Sequence, residues 1–224
     1  MVQQHAIIRA TLGFSAVLLS ALVMPAQANY IDKDLPLTAQ RGVLVSVGQA
    51  HLSNSQLSEF LENLGYSDLS IEGGKNASAW SVGYRHPVSN HWSADIQYSQ
   101  QGKTIPTVQA TLPSRKTTYQ AAKDVVNGMP RRGQGVSALA LYHHPLNSKV
   151  NLQFGLGAVI WQSQRSATVE GSTYTSKSEG ISGMIQLGVS YPITRKIRLE
   201  THWQHTFMPR EAVDRLGLGV AVGF

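Results

Sequence analysis

The sequence predicts an all-β protein, an eight-stranded antiparallel transmembrane β-barrel with short periplasmic turns and long extracellular loops. Three observations predict this fold: segments in which apolar and other residues alternate, recurring turns that contain proline, and the C-terminal stretch. In that stretch, "LGLGVAVGF" from Leu216 to Phe224, large apolar side chains share one parity and Gly or Ala share the other. Because side chains alternate faces along a strand, one face is apolar and the other is nearly bare backbone. A soluble strand would carry polar side chains on its second face instead.

Three short segments predict tight turns: "YRHPVSNHW" at 84–92, "YHHPLNSKV" at 142–150 and "SYPITRKI" at 190–197. Each has Tyr shortly before Pro, and then Ser, Thr or Asn before an apolar residue restarts the alternation. Proline presets the backbone for a turn, and Ser and Asn side chains bond locally to the backbone. We therefore expect hairpins that share one design.

Segments that alternate like strands extend outward from these turns. The eight predicted strands lie near 41–51, 77–86, 91–101, 134–144, 149–163, 180–191, 196–207 and 214–224. The parity of the fourth, "VSALALY", is ambiguous, because Leu139 and Leu141 compete with Val136 and Tyr142. The connections of about 52–76, 102–133, 164–179 and 208–213 alternate with the short turns. This asymmetry is typical of outer-membrane barrels.

A secreted β-sandwich would also alternate apolar and polar residues, and three further features favour the barrel. The face opposite the apolar stripes holds many small residues, as eight strands closing around a filled lumen require. Tyr84, Trp92, Tyr142 and Tyr191 lie beside the short turns, where an aromatic belt would meet the membrane interface. The chain also ends on its last strand, with Phe224.

The first 28 residues predict a secretory signal peptide. They combine a weakly positive start, an apolar run from about Ala10 to Val23 and the small-x-small site Ala26-Gln27-Ala28. Residues 29–224 would then form the β-barrel domain. The sequence has no cysteine, which excludes a disulfide scaffold and a thiol enzyme. Beyond the signal it has no apolar run of about 18 residues, so membrane insertion would be through strands.

Through the Tyr-x-x-Pro turns, the hairpin spacing and the last strand ending on Phe224, the sequence resembles the small eight-stranded outer-membrane barrels of the OmpA transmembrane-domain and OmpX/Ail type. The resemblance implies a monomer in the cell outer membrane, in contact with outer-membrane lipid and lipopolysaccharide, and no cofactor. In that family the terminal aromatic strand is the signal read by the barrel-insertion machinery, which gives Phe224 an assembly role. Unlike full-length OmpA, the chain stops at the eighth strand, so we expect no peptidoglycan-binding domain.

Many polar residues share the parity predicted to face the lumen. Charges in a narrow, partly dry interior must pair or remain hydrated. The main interpretation is therefore a polar core of hydrogen bonds and ion pairs. A gated pore is the alternative, although eight strands leave little aqueous space. The polar set is Arg85, Asp95, Gln97, Gln153, Gln186, Arg198, Glu200, His202 and Gln204.

The histidines do not predict a metal site. His143 and His144 are adjacent, and His202 and His205 are three residues apart, so the members of each pair point to opposite faces of a strand. The histidines near the short turns, which include His143, are explained by solvation at the interface.

The element "HLSN" at 51–54 resembles the His-x-Ser-Asn element of the PagL lipid A deacylases. A base beside a serine, here His51 and Ser53, is the minimum for acyl transfer, and Glu59 is the nearest candidate acid. In PagL the element lies late in the chain, whereas here it follows the first strand. The main interpretation is the start of a helix, with Ser53 and Gln56 as a capping box.

The long loops differ in charge. The first has an acidic excess, whereas the second, 102–133, is basic and contains Asp124 as its only acid. We predict that the basic residues bind a polyanion, either lipopolysaccharide phosphate or an extracellular polymer or host surface. A solvated basic surface is the alternative. The residues Pro106, Pro113, Gly128 and Pro130 predict an irregular loop. The basic residues are Lys103, Arg115, Lys116, Lys123, Arg131 and Arg132.

The sequence therefore predicts a non-enzymatic outer-membrane barrel that displays surface loops for interaction, adhesion or envelope stability. It assigns no catalytic residue and no metal ligand. A lipid A-modifying hydrolase of the PagL type and a small-solute channel are the alternative functions.

Overall fold

The computed structural model describes residues 41–51, 55–72, 76–102, 107–129, 131, 133–147, 149–208 and 212–224. The predicted signal peptide, and with it residues 29–40 of the predicted domain, lies outside these residues. The strands are β1 (Gly42–His51), β2 (Ser67–Glu72), β3 (Asn76–Pro87), β4 (Trp92–Gln100), β5 (Thr107–Thr111), β6 (Gln134–Pro145), β7 (Asn151–Val169), β8 (Ser172–Pro192), β9 (Ile197–Thr206) and β10 (Val213–Gly223). The helices are α1 (Ser55–Asn63) and α2 (Thr118–Gly128).

Eight of the described strands close into an antiparallel barrel, which confirms the predicted fold class. The order around the barrel is β1-β10-β9-β8-β7-β6-β4-β3. Closure pairs β1 with β10 from Gly42↔Gly223 to His51↔Asp214. A closed sheet leaves no strand edge in the wall, as a hydrocarbon environment requires. Just beyond the last strand, the Phe224 N–H donates to the Arg41 carbonyl at 3.0 Å.

Alternation along the strands separates an apolar outer surface from a crowded lumen. Val45, Leu156 and Ile181 are among the exposed apolar side chains of the outer surface. Glycines on the inner face make room for larger lumen side chains. A Cβ at Gly217, for example, would lie 2.5 Å from His202 Nε2, closer than van der Waals contact allows.

The structure resolves the parity of β6. Leu139 and Leu141 are buried in the lumen, and Ala138 and Ala140 lie on the outer surface. Sequence alternation alone left this open because both faces of β6 are apolar. The leucines belong to an apolar cluster that includes Trp161, and Tyr142 on the outer face packs against Trp92 with ring centroids 5.2 Å apart.

The predicted connection 164–179 is wrong, because β7 and β8 continue through it as a paired hairpin. The two strands stay in register up to Val169↔Ser172. The turn uses the left-handed conformation at Glu170 (φ 45°) and Gly171 (φ 83°). Apolar alternation ends near the membrane boundary, and hydroxyl pairs such as Thr168–Thr173 at 2.9 Å replace it on one face. The hairpin therefore projects beyond the barrel.

The expectation of an irregular loop at 102–133 is also wrong. It contains β5, which pairs with β2 in a small second sheet, and α2, which begins with a capping box formed by Thr117 and Gln120. The buried face of α2 packs against β7 and β8 and against α1. No described helix is both long and apolar enough to cross a membrane.

We call these outer elements, namely α1, β2, β5, α2 and the projecting part of the β7–β8 hairpin, the cap. The cap has its own hydrophobic core, to which three separate connections of the chain contribute. Arg165 of β7 donates from Nη1 to the carbonyls of Val126 and Met129, both at 2.9 Å, and so satisfies acceptors at the end of α2. The buried core residues are Leu57, Leu61, Tyr66, Ala121, Val125, Val126, Met129 and Ala167.

We expect Leu61→Ala to destabilise the cap and to leave the barrel folded. Leu61 is fully buried, and a large-to-small change at such a site costs about 2–5 kcal/mol. Amide hydrogen exchange of the refolded protein measures this: exchange should accelerate in α1 and α2 and stay slow in β9 and β10. Equal acceleration in cap and wall would show that the two unfold as one unit.

Candidate functional site in the lumen and the cap

An ion-pair network lies in the lumen near the periplasmic end. Arg85 of β3 and Asp95 of β4 are direct cross-strand neighbours. The Arg85 guanidinium donates to Asp95 from Nε at 2.9 Å and from Nη2 at 2.8 Å. Its Nη1 donates to Glu200 of β9 at 2.6 Å. All three side chains are at most 2% exposed, so one guanidinium joins two carboxylates away from solvent.

Further polar groups complete this network. Arg198 Nε lies 3.9 Å from Glu200 Oε1. The network therefore contains two positively charged guanidinium groups and two carboxylates. Gln153 donates to the same Glu200 oxygen at 3.2 Å. Balanced charge and direct hydrogen bonds are what a desolvated ionic group needs to remain stable.

His143 lies inside the barrel, contrary to the prediction of interfacial solvation. It is buried, and its Nε2 is hydrogen-bonded to Ser93 Oγ at 2.8 Å. Ser93 Oγ also lies 3.4 Å from Asp95 Oδ1. Strand parity explains the position, because His143 shares the inward parity of Leu139 and Leu141 in β6.

A second polar cluster lies closer to the cap and centres on Arg215. Its Nη2 lies 2.9 Å from His202 Nε2 and 2.9 Å from Ser81 Oγ. Ser46 Oγ is 2.7 Å from Ser81 Oγ and 3.2 Å from the same guanidinium nitrogen. Arg215 was not among the predicted lumen residues, although it has the same inward parity as Gly217 in β10.

An apolar cluster also occupies the lumen. Trp161 of β7 donates its indole N–H to Ser182 at 2.9 Å, and the Arg131 guanidinium lies 5.8 Å from the Trp161 ring. Along β6 the cluster extends to Leu141, which is the cross-strand partner of Ser93. The cluster and the polar groups together fill the lumen with side chains. The members of the cluster are Ala50, Ala79, Leu139, Leu141, Val159, Trp161, Met184, Met208 and Val213.

The structure divides the predicted polyanion-binding residues into several groups. Arg115 and Lys123 are exposed on the cap. Lys116 is engaged: its Nζ donates to Asp124 at 2.6 Å and lies 4.7 Å from the centroid of the Tyr66 ring. Arg131 is partly buried against Trp161, as described above. Lys103 and Arg132 lie outside the described residues.

The Lys116–Asp124 pair is part of the folded cap. Tyr66 donates its hydroxyl proton to Asp124 at 3.0 Å. Burial, and after it the hydrogen bond and charge of Asp124, raise the pKa of Tyr66. The hydroxyl hydrogen bond ties the residue before β2 to α2.

The candidate acyl-transfer residues form no complete set among the described residues. His51 Nδ1 is 2.8 Å from Asn76 Oδ1, and Glu59 is exposed on α1. Ser53 lies outside the described residues, and so does the predicted capping box. The described side chains also contain no group of three or more His, Asp or Glu residues placed to hold a metal ion.

A closed eight-stranded wall, an apolar outer surface and a filled polar lumen define an outer-membrane β-barrel. The chain belongs to the outer membrane protein beta-barrel domain family, whose model matches residues 14–224. The protein is therefore located in the cell outer membrane.

Two curated relatives and one solved structure are similar to this chain. Outer membrane protein A of Escherichia coli O157:H7 is 28% identical over 123 residues, which are 47% of this chain and 35% of that protein. Outer membrane protein A of Shigella flexneri is 30% identical over 110 residues, 45% of this chain and 31% of that protein. The chain thus spans about a third of the length of these relatives.

The N-terminal β-barrel domain of Pseudomonas aeruginosa OprF is similar in structure. The TM-score is 0.51 at 10% sequence identity, covering 83% of this chain and 98% of that domain. At this identity the likeness shows the shared fold.

We expect Arg85→Met to destabilise the barrel by about 3–5 kcal/mol, because it leaves two buried carboxylates opposite one guanidinium. Urea unfolding in lipid vesicles measures the free energy of unfolding. The double variant R85M/D95N should recover part of the loss, since Glu200 and Arg198 still balance each other. Equal stability of the wild-type and R85M proteins would mean that the network is hydrated and contributes little.

Proposed function

We propose that the protein is a non-enzymatic outer-membrane barrel that displays its cap as a binding surface outside the cell. The observation that carries this proposal is the hydrophobic core of the cap. Flexible loops lose conformational freedom when they bind, and this ordering weakens affinity. A cap that is already folded on β7 and β8 avoids much of this loss, so its exposed side chains are held in place for a ligand.

The filled lumen argues against the small-solute channel. The apolar cluster, the Arg215 group and the Arg85 network all occupy the lumen. A solute would have to displace these side chains. The hydrolase alternative also lacks support, because the described residues assemble no serine, base and acid at the outer rim. The buried Ser93–His143 pair lies in the lumen, away from the lipid A head groups.

The ligand class that we propose is a polyanion. Arg115 and Lys123 project from the cap, and neither makes an ion pair with a described residue. Lys116 is a weaker candidate than the sequence suggested, because Asp124 neutralises it. In sequence, Lys103 follows β4, and Arg131 and Arg132 precede β6; we expect these ends of the strands to lie near the phosphates of lipopolysaccharide. We retain them as candidates for that nearer surface.

We expect R115S/K123S to weaken binding to immobilised heparin and to reduce its salt dependence. Exposed basic residues attract anions through electrostatics that salt screens over about 10 Å at 0.1 M. Elution from heparin as a function of salt, with the folded protein in detergent, measures the effect. K149S/R195S, which removes the same charge at the opposite end of the barrel, is the matched control and should lose less affinity than R115S/K123S. Unchanged affinity and salt slope in R115S/K123S would refute this ligand class for the cap.

We also propose that Phe224 acts as an assembly signal for the barrel-insertion machinery. Its side chain is 67% exposed, and its ring centroid lies 6.5 Å from that of Tyr84. Its backbone N–H contributes one hydrogen bond next to the closure of the barrel. Because an exposed aromatic side chain adds little to internal packing, recognition by the insertion machinery explains Phe224 better than a role in stability. Export through the predicted signal peptide, residues 1–28, and a monomeric state remain part of this proposal.

Deletion of Phe224 should lower the amount of protein in the outer membrane severalfold and change the unfolding free energy of the refolded protein by less than about 1 kcal/mol, the scale of one hydrogen bond. Quantitative blotting of outer-membrane fractions and urea unfolding measure the two effects. Phe224→Tyr should assemble like the wild type. Normal outer-membrane levels after deletion would remove Phe224 from the assembly signal.

A further inference from the structure

The three short turns at the periplasmic end share one geometry. After each proline, the next residue donates its N–H to the carbonyl four residues later: Val88 to Trp92 at 2.8 Å, Leu146 to Val150 at 2.9 Å and Ile193 to Ile197 at 2.9 Å. Side-chain oxygens of the following residue accept backbone N–H groups within the turn, as Asn147 and Thr194 show. The other side chains that the structure describes in these turns make no such hydrogen bond.

Each turn carries an apolar side chain at its tip that points outward. Val88, Leu146 and Ile193 have the same parity as the outward-facing Tyr84, Tyr142 and Tyr191 of their strands. They are 69%, 55% and 58% exposed. Three large apolar side chains at equivalent positions extend the lipid-facing surface past the aromatic residues, to the depth of the lipid head groups.

Basic residues accompany these apolar tips. Arg41, Lys149, Arg195 and Lys196 are exposed, and none makes an ion pair with a described residue. The acidic side chains of the described residues lie elsewhere, in the lumen or toward the cap. In sequence, the segment 29–40 before β1 adds two acids and one Lys, which does not cancel four cations. We call the three tips and these four residues the periplasmic rim.

We propose that the periplasmic rim binds anionic phospholipid of the periplasmic leaflet. Apolar tips hold the turns at the interface, and the adjacent cations then lie at the height of the phosphates. A polybasic segment at an anionic lipid surface gains affinity with each Lys or Arg. The rim is continuous with the surface that the lipid already covers, which favours a lipid over a soluble partner. This inference is independent of the function proposed for the cap.

Fluorescence quenching by brominated lipid tests the proposal. Trp92 is 47% exposed to lipid and follows the first turn directly, so in a W80F/W203F background it reports on lipid at the rim, while the buried Trp161 does not. The full protein is reconstituted in phosphatidylcholine vesicles containing increasing fractions of brominated phosphatidylglycerol. We expect a severalfold preference for phosphatidylglycerol at low salt that disappears near 1 M salt, where screening acts over about 3 Å.

The decisive variant is K149S/R195S/K196S in the same background. These side chains make no hydrogen bond with the described turn residues, so the turns should keep their geometry. Resistance to urea checks the folded state. We expect the preference to fall to about one, as unpaired cations lose their contribution to lipid binding. R115S/K123S, at the cap, should keep the wild-type preference. The proposal is overturned if the rim variant retains the preference, or if the wild type shows none.

Discussion

Closure of the sheet between β1 and β10 is the constraint on which the rest of the structure depends. In hydrocarbon every backbone N–H and C=O must find a partner inside the protein, and a closed sheet achieves this without exposed edges. Closing only eight strands leaves a narrow interior, so small residues on one face become a requirement. The glycines of β10 and β7 follow from this need. Room for His202, for example, exists only because residue 217 has no side chain.

The narrow interior also limits how charged side chains can be placed in the lumen. Water cannot solvate charges freely there, so the charges are arranged in balanced, directly bonded groups. Arg85 joins strands that lie on opposite sides of the barrel, and it does so through three ionic groups that would each be unstable alone. The apolar cluster around Trp161 occupies further space in the lumen. The interior is therefore filled with side chains that hold the wall together.

Much of the fold could be predicted from strand parity and from the residues of the turns, because both depend only on neighbouring positions in the sequence. The proline turns and the polar lumen set follow from period two and from residues whose backbone preferences are strong. The cap was not predictable in this way. Its core contains Leu61, Val126 and Ala167, which come from three connections far apart in the sequence. The pattern within one connection does not show that it will pack against the other two. The hydroxyl-rich part of the β7–β8 hairpin was missed because apolar alternation ends where lipid ends, although the hydrogen-bonded pairing continues. Lys116 was taken for a free cation because its partner Asp124 is brought near by the fold of α2.

The contribution of β7 and β8 to the cap also has a consequence for the order of events during assembly. Helix α2 comes from a connection earlier in the chain, yet its hydrophobic face is covered by residues of a hairpin that follows it. Until that hairpin has crossed the membrane, α2 lacks the surface on which it packs. Burial of the α2 face is therefore a late event that reports complete passage of the long hairpin.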